Sequence, residues 1–400
     1  MLESTGTEID SSGRLGAILG VSVPETHRKM YEEARQFADE VLIPAADRHD
    51  REESYPEDQV NALAEKGFLG ILAPEQYGGM GLDNLALTLA LEEINRGCAS
   101  TGVTLSVHNS LLSSPLLHFG TEEQKERFFP GLASGKSLGA YAITEPDHGS
   151  DALSIETTCR KEGDEWILNG TKAWITNGSR AGTIITFATM DPALRSKGIN
   201  AFVVDPTMPG FSVGKKELKL GIRGSDTVQL VFDEMRVPAA NLLGEEGQGF
   251  KIAMHTLDGG RVGIATQAVG IAQACLDAAV QFAEGHEMFG RRLADNQLVS
   301  HKIADMATRV EASRLLTLRA AMLKDAGAPH SRQASMAKLS ASEIANDAAR
   351  MALEIHGGAG IGRQSPIERL FRDAKICEIY EGTSQIQRLV ISRHVRPDRS

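Results

Sequence analysis

Four hundred residues are too many for one ordinary hydrophobic core, so length implies about two or three domains. With 42% hydrophobic and 24% charged residues the chain has a globular composition, and only 5% aromatics leans it towards helices packed through small residues. A net charge of -11 argues against nucleic-acid and anionic-membrane partners, which need clustered positive charge, but leaves room for a small anionic ligand held by local groups.

The opening MLESTGTEIDSSGRLG has one basic residue, Arg14, against Glu3, Glu8 and Asp10. That is neither a signal peptide nor an Arg-rich transit peptide, so residues 1–21 read as a flexible lead-in and the expected location is cytoplasmic. From Pro24, Met30, Ala34, Phe37, Ala38 and Val41 recur at spacings of three and four, a helical pattern that Pro44 is expected to break. PEQYGGMG at 74–81 reads as a turn. Helical patterns resume from Asn84 to Ile94 and again from Gly102, and Thr121 with Gln124 predicts a capping box. Residues 22–139 are therefore an N-terminal helical domain.

The pattern changes near Leu138. EWIL, Asn169-Gly170 and TKAWIT predict a β-hairpin with a two-residue primed turn. Strands follow at TIITFATM, NAFVVD, FSVG and TVQLVFDEMRVP, which makes 140–252 a middle, β-barrel-like domain. From Ala253 the helical pattern returns, with breaks at Gly285, Ala326 to Pro329, Gly357 to Gly362, and Gly382. Four or five long helices there predict a C-terminal four-helix bundle over 253–400. The expected fold class is mainly α with a central β domain. No apolar run approaches the roughly 20 residues of a membrane span.

Several common chemistries find no support. Cys98, Cys159, Cys275 and Cys377 lie too far apart for a zinc site or a disulfide framework, and no metal is expected. GLASGKS at 131–137 has three residues between its glycines where a phosphate-binding loop needs four, and GGAGIG at 357–362 lacks the dinucleotide spacing. Neither HExxH nor GxSxG occurs.

Three segments carry chemistry. AYAITEPDHGSD at 140–151 has a Gly149-Ser150 step that can present N–H groups to a phosphate or carbonyl, or can be a plain domain-entry turn. In LNGTKAWITNG at 168–178, strand alternation puts Lys172, Trp174 and Thr176 on one face, where an aromatic beside a hydroxyl suits a flat ligand. An ordinary half-buried hairpin would look the same. In KICEIYEGTSQIQRLV at 375–390 a helix is expected to end near Tyr380, with Ser384 and Gln387 capping the next. Glu381 then falls at a helix junction, where a carboxylate is either a linker charge or a catalytic group.

Taken together, with PEQYGGMG, LDGGRVGIA, FRDAKI and IYEGTSQIQ, these segments resemble the acyl-CoA dehydrogenase family from about residue 24 to residue 395. SVHNSL, RLLTLRAAMLKDAG and ASMAKLSASEIA look most like its short-chain and short-branched-chain members. The resemblance implies an FAD enzyme of fatty-acid β-oxidation. A base takes the α-proton of an acyl-CoA while the β-hydrogen leaves as hydride to the flavin, giving a trans-2-enoyl-CoA. It also implies electron-transfer flavoprotein as acceptor and a homotetramer, a dimer of dimers.

The resemblance carries the base onto Glu381, and the position where some members hold theirs is Gly260 here. Onto the FAD site it carries Tyr141, Ile143, Thr144, Gly149, Ser150, Trp174, Ile175, Thr176, Thr383, Ser384 and Gln385. From a neighbouring subunit's contribution come His286, Phe289, Gln297, Glu354, Gly357 and Gly358. Ser150, Asp258, Arg261, Tyr380 and Gly382 match substrate contacts, and Thr104 to Leu111 matches the acyl end, with Val107 and His108 shaping its floor.

Two positions depart from the family pattern. His286 stands where an arginine usually meets the FAD pyrophosphate, and Glu354 where a glutamine is usual. His286 can pair with Glu354, Arg291 or Arg292 can replace the cation, or FAD can bind weakly. The alternatives to the dehydrogenase are a flavin oxidase or monooxygenase on the same fold, and a flavin-poor relative that binds acyl-CoA without redox chemistry.

Overall fold

A computed structural model describes residues 23–396, so the expected lead-in at 1–21 lies outside the described residues. Helix α1 (Glu25–Phe37) buries Met30, Tyr31, Ala34 and Phe37 on one stripe. Pro44 does not end the run: five residues, Ala38–Leu42, widen into a π-helical turn, and α2 (Ile43–Glu52) continues with Pro44 in its first turn. The wide turn relieves the missing N–H and ring clash that a proline imposes on a regular helix. Next come α3 (Glu57–Glu65), α4 (Asn84–Gly97), α5 (Ala99–Ser106), a second π-helical stretch (Val107–Ser113), α6 (Ser114–Phe119) and α7 (Glu122–Ala133). Thr121 and Gln124 form both halves of the expected capping box at the start of α7.

The middle region holds β1 (Leu138–Ala142), β2 (Thr158–Glu162), β3 (Glu165–Thr176), β4 (Ala181–Thr189), β5 (Ile199–Val204), β6 (Phe211–Lys216), β7 (Thr227–Pro238) and β8 (Leu242–Leu243). They join in one sheet of order β6-β7-β3-β2-β4-β5-β8, with β1 also paired to β4. Strand alternation supplies two buried faces. Ile184, Ala188 and Phe202 point into a cluster with Trp166, Leu230 and Val237, around which the sheet wraps. Ile185, Phe187, Ala201 and Val203 point the other way, into the core shared with the helices.

The expected turn at Asn169-Gly170 is corrected. β3 runs straight through it, and the hairpin turn is Gly163-Asp164, between β2 and β3. At 169–170 the pairing with β7 shifts register instead. Asn169 bonds to Glu234 across the sheet (Nδ2 to Oε1, 2.7 Å), and a Cβ on Gly170 would collide with Thr157. Asn-Gly here marks a bulge and a close approach, the other use of glycine within a strand.

The C-terminal region has three long helices, α8 (Gly249–Gly285), α9 (Gln297–Asp325) and α10 (Ser331–His356), and two short ones, α11 (Pro366–Ile376) and α12 (Ser384–Val395). The expectation of four or five long helices is therefore too high. Helix α4 from the N-terminal region packs against two of the long three, α8 and α9. Between α8 and α9, β9 (Glu287–Met288) and β10 (Arg291–Arg292) form a small exposed hairpin. Helix α8 is long and apolar enough to cross a membrane by length and composition alone, but most of it is buried at the centre of the helical core.

Candidate active site

Glu381 lies in the turn between α11 and α12. It has φ 53°, and Gly382 follows with φ 89°, so two successive residues are left-handed. Such a turn costs little at glycine but is strained at glutamate, and bonds from outside hold it. Gln387 Nε2 donates to the Gly382 carbonyl at 2.8 Å and Lys338 Nζ donates to the same oxygen. Thr383, not Ser384, caps α12, its hydroxyl accepting from the Ile386 N–H. Gln387, expected in a capping box with Ser384, serves the turn instead.

This turn delivers the Glu381 carboxylate into an enclosed space. Its Oε2 is buried with no hydrogen-bond partner. Burial pushes the carboxyl up to about 7, against the opposing pull of Lys338 and Arg261. Gly260 on α8 makes the room, since a Cβ there would sit 2.8 Å from Glu381 Oε2 and 2.8 Å from Leu111 Cδ2. The two positions that the sequence resemblance offers for a base thus adjoin one space, which the Glu381 carboxylate occupies.

Around the carboxylate, Tyr380 donates its hydroxyl to buried Gln267, and Tyr141 on β1 lies close enough for Glu381 to oppose its ionisation. Arg261 pairs with Asp258, which also accepts from Ser331 Oγ at 2.9 Å. Asp258 faces a cavity of about 700 Å³ lined also by His118, His255, Lys324 and His330. The expected floor residue His108 is redirected. It is fully buried, held neutral by burial with its pKa lowered to about 4, and its Nδ1 accepts from the Gly139 N–H at 3.0 Å. It pins β1 to the π-helical stretch, which leaves Leu111 as the side chain of that stretch beside Gly260 and the Glu381 carboxylate.

Of the residues that the resemblance puts beside FAD, Tyr141, Thr383, Ser384 and Gln385 lie at or near this turn, and the others are carried by β3 and the segment that follows β1. Ala173 N–H donates to the Thr144 carbonyl at 2.9 Å, which joins β3 to the 143–145 segment. Glu145 accepts from the N–H groups of Glu156 and Thr157, so the loop carrying Gly149 and Ser150, both exposed, is closed at its base. The expected shared face of Lys172, Trp174 and Thr176 is corrected. Pairing between β3 and β7 shifts register between Lys172 and Ile175, and Trp174 has φ 61°. Lys172 therefore turns inward to Glu145 (Nζ to Oε1, 2.7 Å), and Trp174 turns outward. Ile175 packs its side chain into the sheet cluster, away from Trp174.

These residues fit FAD. Trp174 leaves 54% of its surface exposed, beside half-buried Thr176. The Tyr141 hydroxyl and the Ser384 hydroxyl are buried without partners. Thr383, Ser384 and Gln385 line a cavity of about 310 Å³. An exposed flat aromatic, unpaired buried hydroxyls and a helix N-terminus suit a flat ring with a polar edge.

A second group lies elsewhere. His286 stacks on Phe282 (centroids 3.9 Å), which stacks on His356 (4.2 Å), bringing the ends of α8 and α10 together with Gly357 and Gly358. Phe289, at the tip of the small hairpin, and Gln297, opening α9, are exposed. Glu354 pairs with Lys302 (2.5 Å) and Arg350 (2.7 Å), not with His286, and this holds its carboxyl below the usual range. Arg292 is taken by Glu284 and Asp295. Lys338 and Glu354 are sixteen residues apart on α10, or about 24 Å, so this group is remote from Glu381 in one chain.

Family models match the chain in the same three parts: the acyl-CoA dehydrogenase N-terminal domain at residues 24–136, its middle domain at 140–235 and its C-terminal domain at 247–396. The chain belongs to the acyl-CoA dehydrogenase family. As such it is an FAD-dependent oxidoreductase. It is 52% identical over 375 residues to the mitochondrial short-chain specific acyl-CoA dehydrogenase of Rattus norvegicus, covering 94% of this chain and 91% of that one. Butyryl-CoA dehydrogenase from Megasphaera elsdenii superposes with a TM-score of 0.92 at 41% identity, over 94% of this chain and 99% of that one. A chain solved in work on the electron transferring flavoprotein of Acidaminococcus fermentans gives a TM-score of 0.93 at 45% identity, over the same shares. Lys338 had no part in the sequence-based site, Gln387 entered it only as a capping residue, and Leu111 only as the end of the segment matched to the acyl group. The signal for Lys338 was its place on a stripe of small residues, Ala334, Ala337, Ala341 and Ala345, which predicts a buried lysine.

Proposed function

We propose that this acyl-CoA dehydrogenase oxidises short or short-branched acyl-CoA thioesters to trans-2-enoyl-CoA, with Glu381 removing the α-proton. The unpartnered, buried Oε2 of Glu381 carries the reading, because a general base needs a free lone pair and a pKa near the working pH. No hydrogen bond engages the Glu381 backbone N–H among the described residues, so it is available to the thioester oxygen as charge develops there. Arg261 and Lys338 hold the carboxyl below the value that burial alone would give. Bound FAD supplies the acceptor for the hydride leaving the β-carbon. Trp174, Thr176, Tyr141, Thr383, Ser384 and Gln385 are the residues that would hold its ring region, with Ile143, Thr144, Gly149 and Ser150 beside them.

Leu111, against Gly260 and level with the carboxylate, supports a short acyl group. Electron-transfer flavoprotein is the acceptor we favour, in line with the chain from the Acidaminococcus work. The remote group at His286, Phe289, Gln297 and Glu354 supports a homotetramer in which it serves a neighbouring copy's cofactor. Phe289, 94% exposed, would be covered there. Light scattering of the holoenzyme tests that assembly. Four free, buried cysteines suit a reducing compartment, and we assign the enzyme to the cytoplasm, which fractionation tests. The activity itself is tested by profiling acyl-CoA chain lengths with electron-transfer flavoprotein as acceptor, beside stopped-flow reoxidation. Preference for short thioesters and slow reaction of the reduced enzyme with O₂ are expected, and fast reaction with O₂ would point to an oxidase.

A further inference from the structure

Lys338 has no solvent-exposed surface, and it forms no ion pair among the described residues. Its Nζ meets a neutral acceptor, the Gly382 carbonyl, inside the turn that carries the base. A buried ammonium without a counter-ion is destabilising in itself, so the position calls for a role beyond packing. The surrounding charges come from every side: Glu381 from the turn, Cys377 and Glu378 from the end of α11, and Arg261 from α8. Burial lowers the lysine to about 8, against the pull of Cys377 and Glu381, so it is still charged at neutral pH. Tyr141 and Tyr380, the other titratable groups facing Glu381, are driven upward by burial and remain neutral.

We propose that Lys338 is a positioning residue for proton abstraction: it fixes the left-handed Glu381-Gly382 turn through the Gly382 carbonyl, and its charge favours the ionised base. Gln387 makes the second bond to that oxygen, so the turn hangs on two side chains from two helices, one charged and one neutral. Fixing the turn aims the carboxylate, and the charge keeps a desolvated carboxylate ionised at neutral pH. The proposal rests on Glu381 being the base.

Three variants of the holoenzyme separate these effects: K338Q keeps a donor without charge, K338M keeps neither, and K338R keeps the cation. The readouts are the pH profile of kcat/KM from about pH 5 to about pH 9 and the infrared band of the protonated Glu381 carboxyl, assigned with E381Q. K338Q is expected to move the acidic limb and the infrared titration upward by about one pH unit. K338M should add a kcat loss of about ten- to a hundredfold with KM little changed. K338R should return the limb towards wild type. Folded, flavin-loaded K338Q with the wild-type limb and infrared titration would overturn the proposal, whether or not K338M folds. Failure of the base assignment looks different, because E381Q would then retain activity whatever Lys338 does.

Discussion

The carboxylate of Glu381 and the bare Cα of Gly260 share one volume, and a methyl group at residue 260 would lie 2.8 Å from Oε2. Gly260→Ala should therefore displace the base. A misplacement of about 1 Å costs roughly a hundredfold in rate, so kcat should fall by about that factor. Flavin content and melting temperature should stay near wild type. Steady-state kinetics on the flavin-loaded variant check this, and an unchanged kcat would mean that the carboxylate reacts from somewhere else.

The pH profile follows from burial of the same group. The reactive form is the carboxylate, and its pKa is raised to about 7, so kcat/KM should fall about tenfold per unit below that pH. Stability moves in the opposite direction. A carboxyl with a raised folded-state pKa binds its proton more tightly than the unfolded chain does. Its stabilising contribution is complete below the unfolded value of 4.5 and is lost as pH rises through about 7. Glu381→Gln should accordingly be more stable than wild type at alkaline pH, by at most about 3 kcal/mol, and nearly equal at about pH 4. Denaturant melts at the two pH values decide it.

Lys172 and Glu145 form a buried pair that closes the loop carrying Gly149 and Ser150. Lys172→Met leaves a carboxylate with no cation in the interior. The expected loss is about 3–5 kcal/mol in unfolding free energy, with faster proteolysis within 146–156. Equal stability would show that the pair is dispensable.

Glu354 is balanced by Lys302 and Arg350 on the surface. Because the surrounding cations already offset its charge, Glu354→Gln should change the FAD dissociation constant by no more than about fivefold. Reconstitution of apoprotein, followed by flavin fluorescence, measures it. A much larger tightening would mean that Glu354 does oppose the cofactor's phosphates.

Much of this architecture is legible in the sequence where periodicity is local. The heptad-like run to Phe37, the capping box at Thr121 and Gln124, and the glycine breaks at Gly285 and Gly357 all fall where expected. Errors arise where a local signal has two uses. Asn169-Gly170 is turn chemistry that a neighbouring strand converts into a bulge, and Pro44 is a helix breaker that a π-turn absorbs. The site divides the same way. Gly382 is readable as a helix break, whereas the junction leaves Glu381 either a linker charge or a catalytic group, and only the family resemblance points to it as the base. The inward turn of Lys172, the redirected His108 and the bond from Lys338 depend on partners 27 or more residues away, and no spacing reveals them.

The central claim is that Glu381 takes the α-proton, and the most direct measurement is exchange of that proton with deuterated water. Saturated acyl-CoA bound to the holoenzyme should acquire deuterium at its α-carbon, read by mass spectrometry. Loss of a positioned base costs about 10²–10⁴-fold, so folded, flavin-loaded Glu381→Gln should slow exchange by that range. Exchange at the wild-type rate in that variant would contradict the account.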